Sequence, residues 1–241
     1  MENARVSRFR RTGAHAIAVA GDLGYRGAQR LSRRLAAQDG PSLSGDRWVE
    51  WSFCMSRLAD GPGRTLDFGA DIAFLSLAAA QRGHDVVALD RLPSSAEFDH
   101  PRVRFVEADI LAHDFGNERF DQIINCSSVE HVGLGGRYGS SDASDGDVEA
   151  MAALRGALAP EGRMILTIPV GRDLVAAPLH RIYGEERLPL LLHGFSAVDE
   201  QYWRKDDDRW RQTDRARALA VEGSDSFYAL GLFVLRAGGG A

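Results

Sequence analysis

The chain has 241 residues and a mass of 26.3 kDa, and 44% of it is hydrophobic, which is enough for one well-buried core and too little for two comfortable domains. A formal charge of -5 and a pI near 5.8 supply no global basic field, so nucleic acid is not an expected partner. The two cysteines, Cys54 and Cys126, fall in an expected helix and at an expected strand end, which argues against a disulfide framework and fits a reducing, cytoplasmic setting.

Taken in chain order, residues 1–45 are rich in arginine and alanine, with apolar positions at helical spacing in AQRLSRRLAAQ before the turn-forming run DGPSLSGD. This predicts an N-terminal helical extension. Its apolar run HAIAVAG falls well short of the roughly 20 residues a membrane span needs. Asp22 and Gly24 make a poor signal-peptide ending, so a soluble protein is expected, with no membrane partner. Gly21, Gly24 and Gly27 resemble a dinucleotide loop, but no acid follows at a second strand end, which such a loop requires.

Residues 46–60, DRWVEWSFCMSRLAD, place Trp48, Trp51, Met55 and Leu58 on one helical face, with Asp46 as the expected N-cap. From Gly61 onward short apolar strands alternate with helices: RTLDFG, DVVALD, VRFVEAD, FDQIINCS, RMILTIPV and FYALGLFVLRA. That alternation predicts a doubly wound, mostly parallel α/β sheet with right-handed crossovers, spanning residues 46–241 as one domain. The final strand should pair antiparallel with FSAVDEQYWRK, and the charges around Trp203 and Trp210 read as a solvated face with two anchoring tryptophans. Residues 133–147, with five glycines and three aspartates, read as a mobile loop closed by Asp145 or Asp147 at the start of the helix VEAMAALRGAL.

The chemistry concentrates at strand ends. In an open parallel sheet a ligand sits beyond the carboxyl ends of the strands, where the strand order reverses. Asp67 and Gly69 end the first strand, and Gly69 lets the backbone approach a ligand with no Cβ in the way. Asp90 ends the second strand, where a carboxylate can accept both hydroxyls of a ribose. Asp109 ends the third and can hydrogen-bond an adenine amino group. Three acids on successive strand ends suit a ligand with positive charge and hydroxyls rather than a pyrophosphate.

This constellation resembles the class I S-adenosylmethionine-dependent methyltransferases over about residues 61–171. Asp67-Phe68-Gly69-Ala70-Asp71-Ile72-Ala73 matches the family's acid-and-alternating-glycine motif, with Asp71 and Ala73 standing where the family usually has glycine. The resemblance implies a seven-stranded Rossmann-like sheet with an antiparallel last strand. It also implies S-adenosylmethionine as cofactor, held by Asp67, Gly69, Ala70, Asp71, Asp90, Arg91, Asp109, Ile110, Asn125 and Ser127. The last two lie on the strand end that flanks the methyl group.

His131 follows that strand end and is the natural general base, since its ordinary pKa lets it take a hydroxyl proton at neutral pH. Glu130 beside it can orient the ring. Arg137 and Tyr138 in the loop, and His180 and Tyr183 after the fifth strand, are the expected substrate contacts. No metal is expected; the alternative, by likeness to methyltransferases with a Glu-x-x-Glu-His run here, is a divalent ion on Glu130, His131 and His180. The function expected is methyl transfer to a small molecule, such as a sugar or secondary metabolite, at a hydroxyl. A non-methylating protein on the same scaffold, whether a partner subunit or a rearrangement enzyme, is the second reading, prompted by Asp71 and Ala73.

Overall fold

The computed structural model describes residues 43–135 and 143–238. The expected helical extension and glycine loop at the N-terminus lie outside the described residues, as do Arg137 and Tyr138. Helix α1 (Asp46–Arg57) leads into β1 (Gly63–Phe68), α2 (Phe74–Gln81), β2 (His84–Asp90), β3 (Val103–Glu107) and β4 (Phe120–Cys126). A 3-10 turn at Val129–His131 follows, then α3 (Gly146–Ala157), β5 (Leu158–Val170), β6 (Leu174–Ala176), β7 (His180–Ile182) and α4 (Arg187–Leu191). The chain closes with β8 (Phe195–Asp206), β9 (Arg209–Thr213), α5 (Arg215–Leu219) and β10 (Ala229–Ala237).

The main sheet runs β3-β2-β1-β4-β5-β10-β8-β9, with β6 and β7 forming a separate two-stranded pair. Strands β3 through β5 in that order are mutually parallel, and β10 lies antiparallel between β5 and β8. The order therefore reverses between β1 and β4, which opens the crevice at their carboxyl ends. Strand alternation sorts the core into two faces. On β5, Met164, Leu166, Ile168 and Val170 join the cluster with Met151 and Leu154 of α3. Ile165, between them, joins Phe53 and Cys54 of α1 and Leu75 of α2.

The sheet has eight strands rather than seven, because the segment expected as a solvated face folds as a hairpin. Asp207 and Asp208 form its two-residue turn with φ of 47° and 60°, and Asp206 pairs with Arg209. Aspartate tolerates the left-handed region better than most residues, and a two-residue turn with both positions left-handed matches the strand twist. Trp203 and Trp210 pack from this hairpin against the cluster of Ile182, Tyr228 and Leu230.

Two local expectations are also corrected. Gly45, with φ of 90°, holds the N-cap position of α1 in place of Asp46. Of the expected face, Leu58 is buried and Trp51 and Met55 pack against the core, but Trp48 is 72% exposed, and Glu50, Phe53 and Cys54 are the buried residues of the helix itself. Among the described residues no helix is long and apolar enough to cross a membrane.

Asp145 holds the N-cap position of α3 but makes no side-chain cap bond; Asp147 turns inward instead and is fully buried. It accepts from Tyr183 Oη at 3.1 Å and from Arg187 Nε at 2.9 Å and Nη2 at 2.5 Å, joining α3 to β7 and α4. Removing one member of a buried ion pair strands the other. Asp147→Ala is therefore expected to lower the unfolding free energy by about 3–5 kcal/mol, measured by urea denaturation. A loss under about 1 kcal/mol would show that the network does not hold these elements together.

Candidate functional site

The turn after β1 carries the site. Gly69 N donates to Leu89 O at 2.8 Å, closing the turn onto β2. Gly69, Asp71 and Ala73 all adopt left-handed backbone, with φ of 74°, 46° and 55°. Left-handed backbone thus recurs at alternate positions of the turn although two of them are not glycine. Holding a non-glycine there costs on the order of 1–3 kcal/mol and persists only where surrounding structure imposes it. The imposing contacts are on hand: Asp71 N donates to Asp90 Oδ2 at 3.0 Å and Ala73 N to Ala70 O at 2.6 Å. Gly69 itself has no room for a side chain, since a Cβ would stand 2.0 Å from Ser128 Oγ and 2.4 Å from Ser128 Cβ.

The three strand-end acids sit in different surroundings. Asp67 is buried and accepts from Ser76 Oγ at 2.6 Å. Burial pushes its carboxyl up to about 6, and the Asp90 charge adds to the rise. Asp90 accepts from Leu92 N at 2.9 Å as well as from Asp71 N, so it stitches β2 to the turn. Asp109 forms an ion pair with Arg91 and accepts from Leu111 N at 3.0 Å.

At the end of β4, Ser127 adopts a left-handed φ of 50°. Its Oγ donates to Glu50 of α1. Glu50 is 1% exposed and also receives Thr167 Oγ1 at 2.8 Å and Arg47 Nη1 at 2.9 Å. Three donors are what let a carboxylate stay in the interior. Sequence reasoning missed Glu50, although its spacing of three and four from Phe53 and Cys54 places it on the buried face. Glu130 lies beneath the site, also 1% exposed. Burial pushes its carboxyl up to about 8, with the Glu50 carboxylate adding to the rise. Glu130 Oε2 and Asn125 Nδ2 have no hydrogen-bond partner among the described residues.

Of the residues expected in the site, Asp67, Gly69, Ala70, Asp71, Asp90, Arg91, Asp109, Ile110, Ser127 and His131 line one cleft of about 430 Å³. Arg47, Trp51 and Phe74 line it too, and the two rings stack with centroids 5.0 Å apart; none of the three was expected. His131 donates Nδ1 to Leu179 O at 2.5 Å, the role a carbonyl partner requires, and its Nε2 lies 3.7 Å from Glu130 Oε1.

Asn125 and Glu130 are buried and do not line the cleft. His180 and Tyr183, expected as substrate contacts, are buried as well. The His180 ring lies 6.4 Å from that of His131 and is bonded to Ser224 O at 3.2 Å, and burial holds its imidazole below the ordinary value. Tyr183 is committed to Asp147. His180 lies on β7, and Tyr183, just after it, is bridged to Val170 of β5, so that both side chains enter the core rather than the cleft. The alternative metal site on Glu130, His131 and His180 is likewise not formed: among the described residues no three His, Cys, Asp or Glu side chains converge to hold an ion.

Residues 72–223 match the family model described as "Caenorhabditis protein of unknown function, DUF268". The chain belongs to the DUF268 family. No curated protein matches this DUF268 chain in sequence. Among solved structures it is similar to the 1,6-didemethyltoxoflavin-N1-methyltransferase of Burkholderia thailandensis with bound 1,6-didemethyltoxoflavin and S-adenosylhomocysteine. The identity is 22%, the TM-score 0.54, and 89% of each chain is covered. It is similar to the N-methyltransferase NodS of Bradyrhizobium japonicum in complex with S-adenosylhomocysteine, at 15% identity and TM-score 0.53 over 87% of this chain and 97% of that one. It is similar also to the [4+2]-cyclase SpnF, at 16% identity and TM-score 0.53 over 78% and 80% of the two chains. The DUF268 chain therefore has the class I methyltransferase fold.

Two measurements check the site. Gly69→Ala is expected to destabilise the protein by about 1–3 kcal/mol from the left-handed backbone alone. Adding Ser128→Ala should not rescue it, because the Ser128 Cβ remains 2.4 Å away; full rescue in a thermal melt would refute the close approach. Glu130 titrates at about 8 in the fold against an ordinary 4.5, so between those values the folded state holds a proton the unfolded chain has lost. Stability should thus be fully present below pH 4.5 and fall as pH rises through 8. Glu130→Gln, which cannot ionise, should flatten that slope in denaturation series across the window, whereas an unaltered slope would place the titrating group elsewhere.

Proposed function

We propose that this protein transfers the methyl group of S-adenosylmethionine to a small-molecule acceptor, at a hydroxyl. The observation that carries the reading is the turn at residues 69–73, which keeps left-handed backbone at all three alternate positions although two of them are not glycine. A turn that retains a strained conformation against its own side chains is retained for what it cradles.

The residues present fit the cofactor. Ala73 is fully buried and is not among the residues lining the cleft, so its methyl group does not fill the turn. The Asp71 carboxylate is engaged by Ser95 Oγ at 3.2 Å, and a carboxylate beside a cationic sulfonium and ammonium is electrostatically favourable. Asp90 would hold the ribose hydroxyls, Asp109 and Ile110 the adenine side, and Ser127 the strand end by the methyl group. Bound there, the cofactor supplies a methyl group already activated on sulfur. The protein's share is then largely orientation. His131 stands in the cleft wall with its Nδ1 hydrogen directed at Leu179 O, which makes Nε2 the basic nitrogen and suits it to receive the acceptor proton. The cleft also offers the stacked Trp51 and Phe74 as an apolar wall for a small organic acceptor.

The second reading, a non-methylating protein on this scaffold, draws on the ion pair between Arg91 and Asp109, which engages the carboxylate meant for the adenine. The similar fold of a [4+2]-cyclase is in keeping with it.

Calorimetric titration with S-adenosylhomocysteine tests the proposal. The wild-type protein should bind, and Asp90→Ala should weaken binding by about 1–3 kcal/mol, the range for charge-assisted hydrogen bonds. No heat at millimolar ligand would sink the cofactor assignment. Binding without any methylated product across hydroxyl acceptors would favour the second reading.

A further inference from the structure

Strand β7 and its neighbours run beneath the 3-10 turn that carries His131. Leu179, just before the strand, presents its carbonyl to His131 Nδ1 at 2.5 Å. Two residues on, Arg181 is 1% exposed and gives Nη1 to Val132 O at 2.5 Å. Its Nη2 goes to Ala143 O at 3.3 Å and Ser144 O at 3.1 Å. Val132 lines the cleft directly after His131.

A guanidinium this deep costs several kcal/mol in lost hydration unless its partners compensate. Neutralising Asp147 does not account for it. Arg187 already contributes two hydrogen bonds to Asp147, at 2.9 and 2.5 Å, and Tyr183 a third. The Nε of Arg181 reaches Asp147 Oδ1 only at 3.6 Å and makes no hydrogen bond among the described residues. The well-formed bonds of Arg181 go instead to main-chain carbonyls. One belongs to the residue after His131, and two lie just before α3, beside the place where Ala143 N bonds Gly133 O at 2.9 Å.

We propose that Arg181 is a positioning residue for His131: it fixes the Val132 carbonyl while Leu179, immediately before the same short strand, fixes the imidazole. Ring and main chain on either side of the His131 Cα are thereby tied to one element, and the ring is held as the Nδ1–H tautomer in a single orientation. His180, between the two, braces the arrangement edge-on, with its ring 6.4 Å from His131 and 5.2 Å from Tyr228. A planar five-donor guanidinium can span three carbonyls, and a lysine ammonium at the end of a flexible stem cannot hold all three in place. The catalytic part of this inference rests on His131 being the proton acceptor of the reading above; the positioning part does not.

The test uses the full chain with 15N-labelled histidine, Arg181→Met and Arg181→Lys variants, and His131→Gln to assign the His131 signals. Wild-type protein should show His131 as one neutral tautomer with the proton on Nδ1, and Arg181→Met should show exchange between both tautomers. Thermal melting and S-adenosylhomocysteine titration should show a folded variant with affinity unchanged within about twofold. Methyl-transfer kcat should fall about 100-fold with KM unchanged, as for a misplaced catalytic group, and Arg181→Lys should lie between. A folded Arg181→Met or Arg181→Lys protein with the wild-type His131 spectrum would overturn the proposal, as would mixed tautomers in the wild type. Should Arg181→Met not fold, Arg181→Lys, which keeps a charge near Asp147, carries the same spectroscopic readout. If the wild type binds no S-adenosylhomocysteine, the methyltransferase reading fails, while the tautomer spectra still decide the role of Arg181.

Discussion

The turn from β1 into α2 is the constraint on which the rest of the site hangs. Within five residues the chain must leave the sheet, pass beneath Ser128 and start a helix, and it does so by placing alternate residues in the left-handed region. Of these three, position 69 is closed to a side chain, because a Cβ there would stand 2.0 Å from Ser128 Oγ. At positions 71 and 73 the price is conformational strain, and Asp90 helps to hold it through the Asp71 amide. The carboxylate proposed for the ribose is thus also part of what keeps the turn in shape.

A second theme is the number of ionisable groups placed under the cleft rather than in it. Glu50 is held by donors from α1, β5 and the end of β4, which ties the helix preceding β1 to the strand ends. Glu130 has fewer partners, and burial pushes its carboxyl up to about 8. Asp147 does the same tying on the opposite face of the sheet, through Arg187 and Tyr183. Glu50 and Asp147 each join elements far apart in sequence through polar contacts. Arg181 follows this logic from β7.

How much of this was legible depended on whether the signal was local. Asp67, Gly69, Asp90, Asp109 and His131 could be placed along the cleft because each lies at or within a few residues of the carboxyl end of a strand, and strand ends are marked by where an apolar run stops. That Asp71 and Ala73 keep the glycine conformation was not readable, since their side chains argue against it and only the surrounding contacts impose it. Glu50 was obscured because a charged residue on a helix reads as solvated, and the donors that make a buried glutamate tolerable come from residues 77 and 117 positions away. The β8–β9 hairpin hid in a charged segment, because an Asp-Asp turn has no glycine to announce it. His180 and Tyr183 were placed in the site by proximity to the fifth strand, but β7 and the bridge from Tyr183 to Val170 turned them inward.

The sequence by itself determined the alternation of strands and helices, and with it the parallel sheet, the antiparallel final strand and the row of acids at the strand ends. These follow from periodicity and punctuation, which act over a few residues. Only the tertiary structure decided which acids are buried and which meet the cleft, that the turn at 69–73 holds left-handed backbone at two residues that are not glycine, and that β7 braces His131. Those outcomes depend on which distant donor reaches a carboxylate or a carbonyl, and a free energy of that kind exists only once the sheet has brought the partners together.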